Sequence, residues 1–363
     1  MRKSLLATAL IGAFFAPAVL ADGGTVTLYG IANVPVQFVK SASGNTTTNQ
    51  VAVGNGPAGF GINSPSRLGF KGTEDLGGGL KAWFQIETGF NLDDTTYTSG
   101  PGFANREGWV GLDGSFGKLG LGRGKTPYTN VADALGDSLV DSSLNLAIYK
   151  HGQIGTVTSN RFDNAIRYDS PVMSGFSGAV MYGTGDNKTA TVEATKNFAL
   201  SAKYADGPFG VALAYNVQKN LAGGSVSTPI SAAPADQTKN TAFLLTGSYK
   251  YDAFAFTLGY QNAKVEFADA TKKRQGDSWE LTGTYAIDAL TLKTGFILNQ
   301  KVKLNGKTKD DTDYTRYFLG ASYALSKRTS TYVEYAGDDY NKDLTGANKP
   351  DVASLSIGLK HAF

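Results

Sequence analysis

The sequence predicts an all-β fold, a sixteen-stranded antiparallel transmembrane β-barrel. Three observations predict it. First, residues 353–363 alternate: Ala353, Leu355, Ile357, Leu359, His361 and Phe363 share one parity, and Ser354, Ser356, Gly358, Lys360 and Ala362 the other. Alternate side chains of a strand point to opposite faces, so the segment has one mostly apolar and one polar face. It stops in mid-strand on an aromatic residue, as a last strand closing against a first does. Second, seven short turns interleave with eight long polar stretches, giving fifteen connections and therefore sixteen strands. Third, 20 Phe, 18 Tyr and 45 Gly occur with no run of apolar residues that could form a membrane helix. A strand wall with lipid on one side and water on the other has this composition.

The elements follow in order. Arg2 and Lys3 form a charged start, Leu5 to Phe15 a short apolar stretch, and Pro17-Ala18-Val19-Leu20-Ala21 a small-residue cleavage site. Residues 1–21 therefore read as a cleaved signal peptide, with an apolar stretch too short to span a bilayer. Residues 22–363 are one barrel domain. The signal carries two basic and no acidic residues, so the remaining chain balances 32 basic against 31 acidic residues. That balance excludes a nucleic-acid binder, which needs a basic excess. Cysteine is absent, so a closed hydrogen-bonded sheet, not disulfides, must hold the exported chain together.

Strand patterns recur along the chain. Val211, Leu213, Tyr215 and Val217 alternate with Ala212, Ala214, Asn216 and Gln218. Phe254, Phe256, Leu258 and Tyr260 alternate with Ala255, Thr257, Gly259 and Gln261. Trp279, Leu281, Gly283, Tyr285 and Ile287 alternate with Glu280, Thr282, Thr284 and Ala286. The short turns are Gly72–Gly79, Asp113–Gly117, Asp169–Gly175, Ala205–Phe209, Tyr251–Phe254, Ile287–Leu290 and Leu325–Arg328. The long stretches lie near 41–64, 91–104, 125–159, 185–193, 219–239, 264–277, 301–313 and 338–350. Short turns on the periplasmic rim and long loops outside are the asymmetry of outer-membrane barrels. Tyr168, Tyr204, Tyr249, Tyr285 and Tyr323 each precede a short turn, and Phe363 ends the series, which places an aromatic girdle at the periplasmic interface. Pro35 falls inside the first strand and predicts a bulge or an early strand end there.

The chain resembles the Gram-negative general porins of the neisserial and β-proteobacterial type. The residues that carry the resemblance run from end to end: Thr25-Val26-Thr27-Leu28-Tyr29-Gly30, Ser66-Arg67-Leu68-Gly69-Phe70-Lys71-Gly72-Thr73-Glu74-Asp75-Leu76-Gly77, Asn105-Arg106-Glu107-Gly108-Trp109-Val110-Gly111-Leu112, Phe116-Gly117-Lys118-Leu119-Gly120-Leu121-Gly122-Arg123, Arg167-Tyr168-Asp169-Ser170-Pro171 and Gly358-Leu359-Lys360-His361-Ala362-Phe363. The resemblance implies a homotrimer in the cell outer membrane, surrounded by lipid and lipopolysaccharide and inserted by the barrel assembly machinery. The last strand, through Leu355, Ile357, Leu359 and Phe363, would serve as the assembly signal. It implies passive diffusion of small hydrophilic solutes and ions, no cofactor, and a third loop, about 125–159, that folds into the lumen and narrows it.

The same resemblance implies a basic wall opposite that loop, carried here by Arg67, Arg123 and Arg161, with Lys71 and Arg167 nearby. Parity supports most of it. Arg67 and Lys71 are out of phase with Leu68 and Phe70, and Arg161 and Arg167 with Phe162, Ile166 and Tyr168. Arg123 shares parity with Leu119 and Leu121, so it faces inward only if the strand bulges or ends there. In the loop, Asp133, Asp137 and Asp141 recur at i, i+4 and i+8, one stripe if helical, with Leu135 and Leu139 on the other side. Carboxylates facing guanidiniums across water would orient polar solutes and set ion preference. The arginines, with Lys301, Lys303, Lys307 and Lys309 outside, predict a slight anion preference.

Enzyme chemistry is not predicted. The chain has two histidines, and His361 has the lipid-facing parity, so His151 stands alone for acid–base work. Gly122-Arg123-Gly124-Lys125-Thr126 lacks the earlier glycine of a phosphate loop, since that position is Leu119. Asp310-Asp311-Thr312-Asp313 reads as a solvated turn, and no metal site is assigned. Two other functions fit a barrel: a substrate-selective channel, or an adhesin acting through its loops. A selective channel should show an aromatic track, and Trp83 and Trp109, with Lys81, Gln85, Glu87 and Glu107, are too few for one.

Overall fold

The computed structural model describes residues 18–21, 24–43, 46–54, 66–93, 102–137, 141, 150–151, 155–156, 160–190, 193–221, 237–269, 271–341 and 351–363. Sixteen antiparallel strands close a barrel. They are β1 (Gly24–Ser43), β2 (Arg67–Gly77), β3 (Leu80–Gly89), β4 (Glu107–Gly114), β5 (Gly117–Lys125), β6 (Arg161–Asp169), β7 (Phe176–Thr184) and β8 (Lys196–Asp206). Then come β9 (Phe209–Lys219), β10 (Gln237–Tyr251), β11 (Phe254–Phe267), β12 (Lys273–Ile287), β13 (Leu290–Asn299), β14 (Tyr314–Ala324), β15 (Thr329–Tyr340) and β16 (Asp351–Ala362). Neighbours in sequence pair in space, and β1 closes the circle. Its first half pairs with β2 (Gly24↔Glu74 to Ile31↔Arg67) and its second with β16 (Ile31↔Ala362 to Ala42↔Asp351).

The two faces divide as the alternation requires. On β11, Phe256 and Leu258 are exposed while Gly259, Gln261 and Ala263 are buried; on β16, Leu355, Ile357 and Leu359 are exposed while Ser354 and Ser356 are buried. The outward face is the apolar one, which only a lipid surround makes favourable. The girdle is built from rings facing each other across strand pairs: Phe176–Tyr204 at 4.5 Å, Phe209–Tyr249 at 4.9 Å and Phe254–Tyr285 at 4.2 Å between centroids. Each such pair contributes about 0.5–1.5 kcal/mol beyond its burial.

All seven short turns are present, but several strands run further than the sequence reading placed them. β2 continues through the expected turn to Gly77, because Gly77, Gly78 and Gly79 all take positive φ and compress the reversal into three residues. β11 and β12 extend to Phe267 and from Lys273, so most of the stretch 264–277 is strand. Within 41–64, residues Thr46–Val53 fold back on β1 as a hairpin strand. Of the expected signal peptide, 1–21, residues 1–17 lie outside the described residues, while Ala18–Ala21 pairs with the start of β1.

Pro35 produces neither the bulge nor the early strand end expected of it. β1 runs through it in unbroken register with β16, Pro35 facing Gly358. The Pro35 carbonyl accepts from the Gly54 N–H at 2.7 Å, on the edge away from β16. A residue's N–H and C=O point to the same edge of a strand, so the donor proline lacks is one β16 never used. A real bulge occurs elsewhere: the β5–β6 register shifts between Phe162 and Ala165, with Asn164 at φ 46°. The extra residue reverses the phase of β6. Phe162 therefore faces inward and is 1 % exposed, whereas Ile166 faces outward at 54 %, correcting the expectation that the two share a face.

Candidate functional site

The segment after β5 starts a helix for local reasons. Thr126 is extended, its hydroxyl accepts from the Thr129 N–H at 3.0 Å, and Pro127 occupies the first helical position. The helix α1 (Pro127–Ala132) gives way to a π turn at Asp133–Asp137. Its apolar side lies on the polar parity of the wall. There Val131, Ala132 and Leu135 pack with Phe162, Ala165, Met181, Ala199, Ala214, Ala242, Leu244 and Ala263, inward residues of six consecutive strands from β6 to β11. Small side chains on this part of the wall make a floor for the helix. A Cβ on Gly259 would stand 2.6 Å from Leu135 Cδ1, so a larger residue there would have to push the Leu135 side chain from its seat. Polar ties complete the seat: the Tyr128 hydroxyl donates to Gln261 Oε1 at 2.7 Å, and the Thr282 hydroxyl to the Leu135 carbonyl at 2.9 Å.

Asp141, further on, is held on the far side. Its N–H donates to Glu334 Oε1 at 2.8 Å, and its carbonyl accepts from Asn33 Nδ2 at 2.6 Å. Its carboxylate takes hydrogen bonds from the Lys293 and Lys360 ammonium groups. These partners sit on β15, β1, β13 and β16. Burial alone would raise the Asp141 carboxyl, but the two lysines outweigh it and hold it below the ordinary carboxylate range. The single helical stripe expected of Asp133, Asp137 and Asp141 is not formed. The helix ends at Ala132, the following turn is π-wound, and Asp141 lies beyond it. Asp133 pairs with Lys125, and the Asp137 side chain lies outside the described residues, as does Leu139.

Beside α1, the inward faces of β2 to β6 enclose a cleft of about 530 Å³. Arg67, Arg106, Lys118, Lys125 and Arg167 line it with Glu87, Glu107 and Asp169, five cations to three anions, and Asn130 of the helix forms part of its rim. Glu87 organises one end: Arg106 Nε lies 2.6 Å from Glu87 Oε1, Arg67 Nε 3.8 Å from Oε2, and the Tyr29 hydroxyl donates to Oε2 at 3.1 Å. Arg161 Nε is 3.5 Å from Glu107 Oε1, whose other oxygen accepts from the Trp109 indole at 2.8 Å. Arg167 is bidentate on Asp169, at 2.7 and 2.6 Å. Trp83 lies under the Lys118 ammonium, 3.7 Å from the ring centroid.

The structure thus brings Arg67, Arg161 and Arg167 to one region. Lys71 has the same inward parity but stands over the Tyr29 ring at 5.2 Å, outside the cleft lining. Arg123 is a correction. It pairs with Gly108 on the parity of the exposed Val110, and its guanidinium bonds Asp163 and the Asn105 carbonyl. The bulge that could have turned it inward lies on β6, not on β5. Sequence reasoning missed Arg106, Glu87, Lys293, Lys360 and Glu334. Parity alone would have flagged Lys293 and Lys360, which are out of phase with Leu292 and Leu359.

A closed barrel, apolar outside and charged within, defines a transmembrane channel. Residues 7–343 match the Gram-negative porins, and the chain belongs to that family. It is 30% identical over 371 residues to a major outer membrane protein P.IB of Neisseria lactamica and 29% identical over 383 residues to that of Neisseria sicca, covering 100% of both chains in each case. Its fold is similar to that of an anion-selective porin from Comamonas acidovorans, at 23% identity and TM-score 0.75, over 94% of this chain and 100% of that one. The protein is an outer-membrane channel and not an enzyme.

Proposed function

We propose that the chain is a general-diffusion porin, open to small hydrophilic solutes and ions and weakly anion-preferring. The segment 125–159 narrows the lumen, and solutes pass between α1 and the wall of Arg67, Arg106, Arg161 and Arg167. The cleft beside α1, with five cations to three anions, is the observation that carries this reading. Guanidiniums fixed by buried carboxylates keep their positions in a water-filled passage, so the field across it is built in and costs no reorganisation as an ion passes. Residues 1–21 are removed on export, three copies assemble, lipid and lipopolysaccharide surround them, and the outward Leu355, Ile357, Leu359 and Phe363 present the last strand to the barrel assembly machinery. Planar-bilayer recording in a potassium chloride gradient tests the central claim. A reversal potential favouring chloride is expected; one favouring potassium overturns the assigned preference, and protein that inserts without conducting overturns the channel.

A further inference from the structure

One cation in the charged cleft is held by a ring and not by a carboxylate. Of those lining it, Arg67 and Arg106 answer Glu87, Arg167 answers Asp169 and Lys125 answers Asp133. Lys118 stands in register between Asp113 and Asp169, yet among the described residues no ion pair reaches it. Its ammonium lies over the Trp83 ring instead, 3.7 Å from the centroid.

The ring is laid flat on the wall. Trp83, Gly111, Gly120 and Arg167 form one cross-strand row over β3, β4, β5 and β6. The Trp83 indole N–H donates to the Leu112 and Leu119 carbonyls at 3.3 and 3.1 Å, which fixes the ring against the sheet. A Cβ on Gly111 would stand 2.7 Å from Trp83 Nε1, and one on Gly120 2.9 Å from Cζ2. The two glycines thus leave bare backbone where the ring lies. One face of the indole is against the wall, and the other looks into the cleft beneath Lys118. Arg167 ends the row. Lys118 and Arg167 are diagonal neighbours on β5 and β6, about 7–8 Å apart at Cα and within reach of one small anionic group. Passage of small ions needs cations on the wall, but neither the indole nor the glycine bed beneath it.

We propose that this shelf is a low-affinity, saturable subsite for aromatic carboxylates, the ligand ring stacking offset on Trp83 and its carboxylate lying between Lys118 and Arg167. The lysine stem is flexible, so the ammonium leaves the face of the indole and meets the carboxylate at its edge. A cation–π contact is replaced by a stacked ring pair and a charge-assisted hydrogen bond. A saturated acid of the same charge makes the hydrogen bond without the stack, so the discrimination resides in Trp83. A cleft of about 530 Å³ admits a single-ring acid with water on its open side. One shelf is not a track, so passage stays diffusive. The subsite rests on the channel reading above and adds a solute class to it.

The test compares benzoate with cyclohexanecarboxylate, equal in charge and similar in size but not planar. Added to parent channels in potassium chloride, benzoate should interrupt the current with half-block at a roughly five-fold lower concentration than cyclohexanecarboxylate. Trp83→Leu should abolish that preference, and Trp83→Tyr should keep part of it. Lys118→Gln should weaken block by both acids roughly five-fold, and Lys118→Arg should restore it. Stacking also quenches indole fluorescence. Benzoate quenching that is lost in Trp83→Leu therefore reads the subsite on purified protein, whether or not it conducts. Equal block by the two acids, or a benzoate preference that survives Trp83→Leu, overturns the proposal. If Trp83→Leu does not fold, Lys118→Gln carries the test, and unchanged benzoate block there overturns it equally. A parent that conducts with a chloride preference but treats the two acids alike sinks the subsite alone; a parent that shows the quenching but no current sinks the channel reading alone.

Discussion

Asp141→Asn isolates the tie that holds the segment beyond α1 to the opposite wall. All of its polar groups are engaged: N–H to Glu334, carbonyl from Asn33, carboxylate to Lys293 and Lys360. The asparagine retains both main-chain bonds and one side-chain acceptor but loses the charge. Lys293, with 8 % of its side chain exposed, is left with Glu334 at 3.8 Å. Removing one partner of a buried pair costs about 3–5 kcal/mol. Lys360 is 28 % exposed, so water makes good part of its share, and the lower end applies. About 3 kcal/mol shifts the ratio of seated to released segment by roughly 150-fold. Single-channel recording is the assay. The variant should show transient steps to higher conductance that the parent lacks, while the barrel, whose ladders are untouched, melts at the parent's temperature. Identical conductance and noise in both proteins would refute the latch.

Other expectations follow from the same geometry. Arg106→Ala should move the reversal potential toward cations, because it empties a fixed charge 2.6 Å from Glu87 and leaves that carboxylate to the pore; Arg123→Ala, on the outward face, should leave it unmoved. The Asp141 carboxyl is depressed in the folded state, so its contribution is complete above the unfolded value of about 3.9 and is lost as pH falls through the lower folded value. Conductance should therefore be level from pH 7 to about pH 4 and rise or become noisy only in stronger acid. Leu135→Ala, removing a side chain 1 % exposed beneath the loop, should weaken its seating by about 2–5 kcal/mol, read as added conductance steps.

The fold was legible because its code has period two. Every strand repeats the same choice between lipid and interior, so Phe254–Tyr260 or Leu355–Phe363 declares itself without help from the rest of the chain. Turn positions were legible for the same local reason: Asp-Ala at 252–253 and Asp-Ala at 288–289 place an aspartate at positive φ in a two-residue reversal. The pore was less legible. The segment after β5 is held by contacts between residues over a hundred positions apart, such as Asn33 with Asp141 and Tyr128 with Gln261, and no local pattern announces them. The spacing of Asp133, Asp137 and Asp141 suggested one face, yet the helix ended before the first of them. Arg123 was assigned inward against its own parity, and the parity proved the better guide.

The inward face explains why. Around the circumference one parity serves three different tasks. Over β6 to β11 it is a floor of Ala165, Met181, Ala199, Ala214, Ala242 and Ala263, small enough to admit a helix. Over β2 to β6 it is a charged cleft. Over β13 to β16 and β1 it is a set of clamps that hold Asp141. Along the middle of the strands the outward face is apolar, so its pattern is uniform there; the inward face meets a helix, water and a loop in turn, so its residues look unpatterned when averaged. Taken sector by sector they are ordered: inward alanines on consecutive strands mark where a segment lies, and the inward Lys293 of β13 and Lys360 of β16 mark where its carboxylate is tied. A change at the floor under Leu135 or at the ties to Asp141 should therefore alter conduction before it alters the stability of the barrel, whose ladders neither touches.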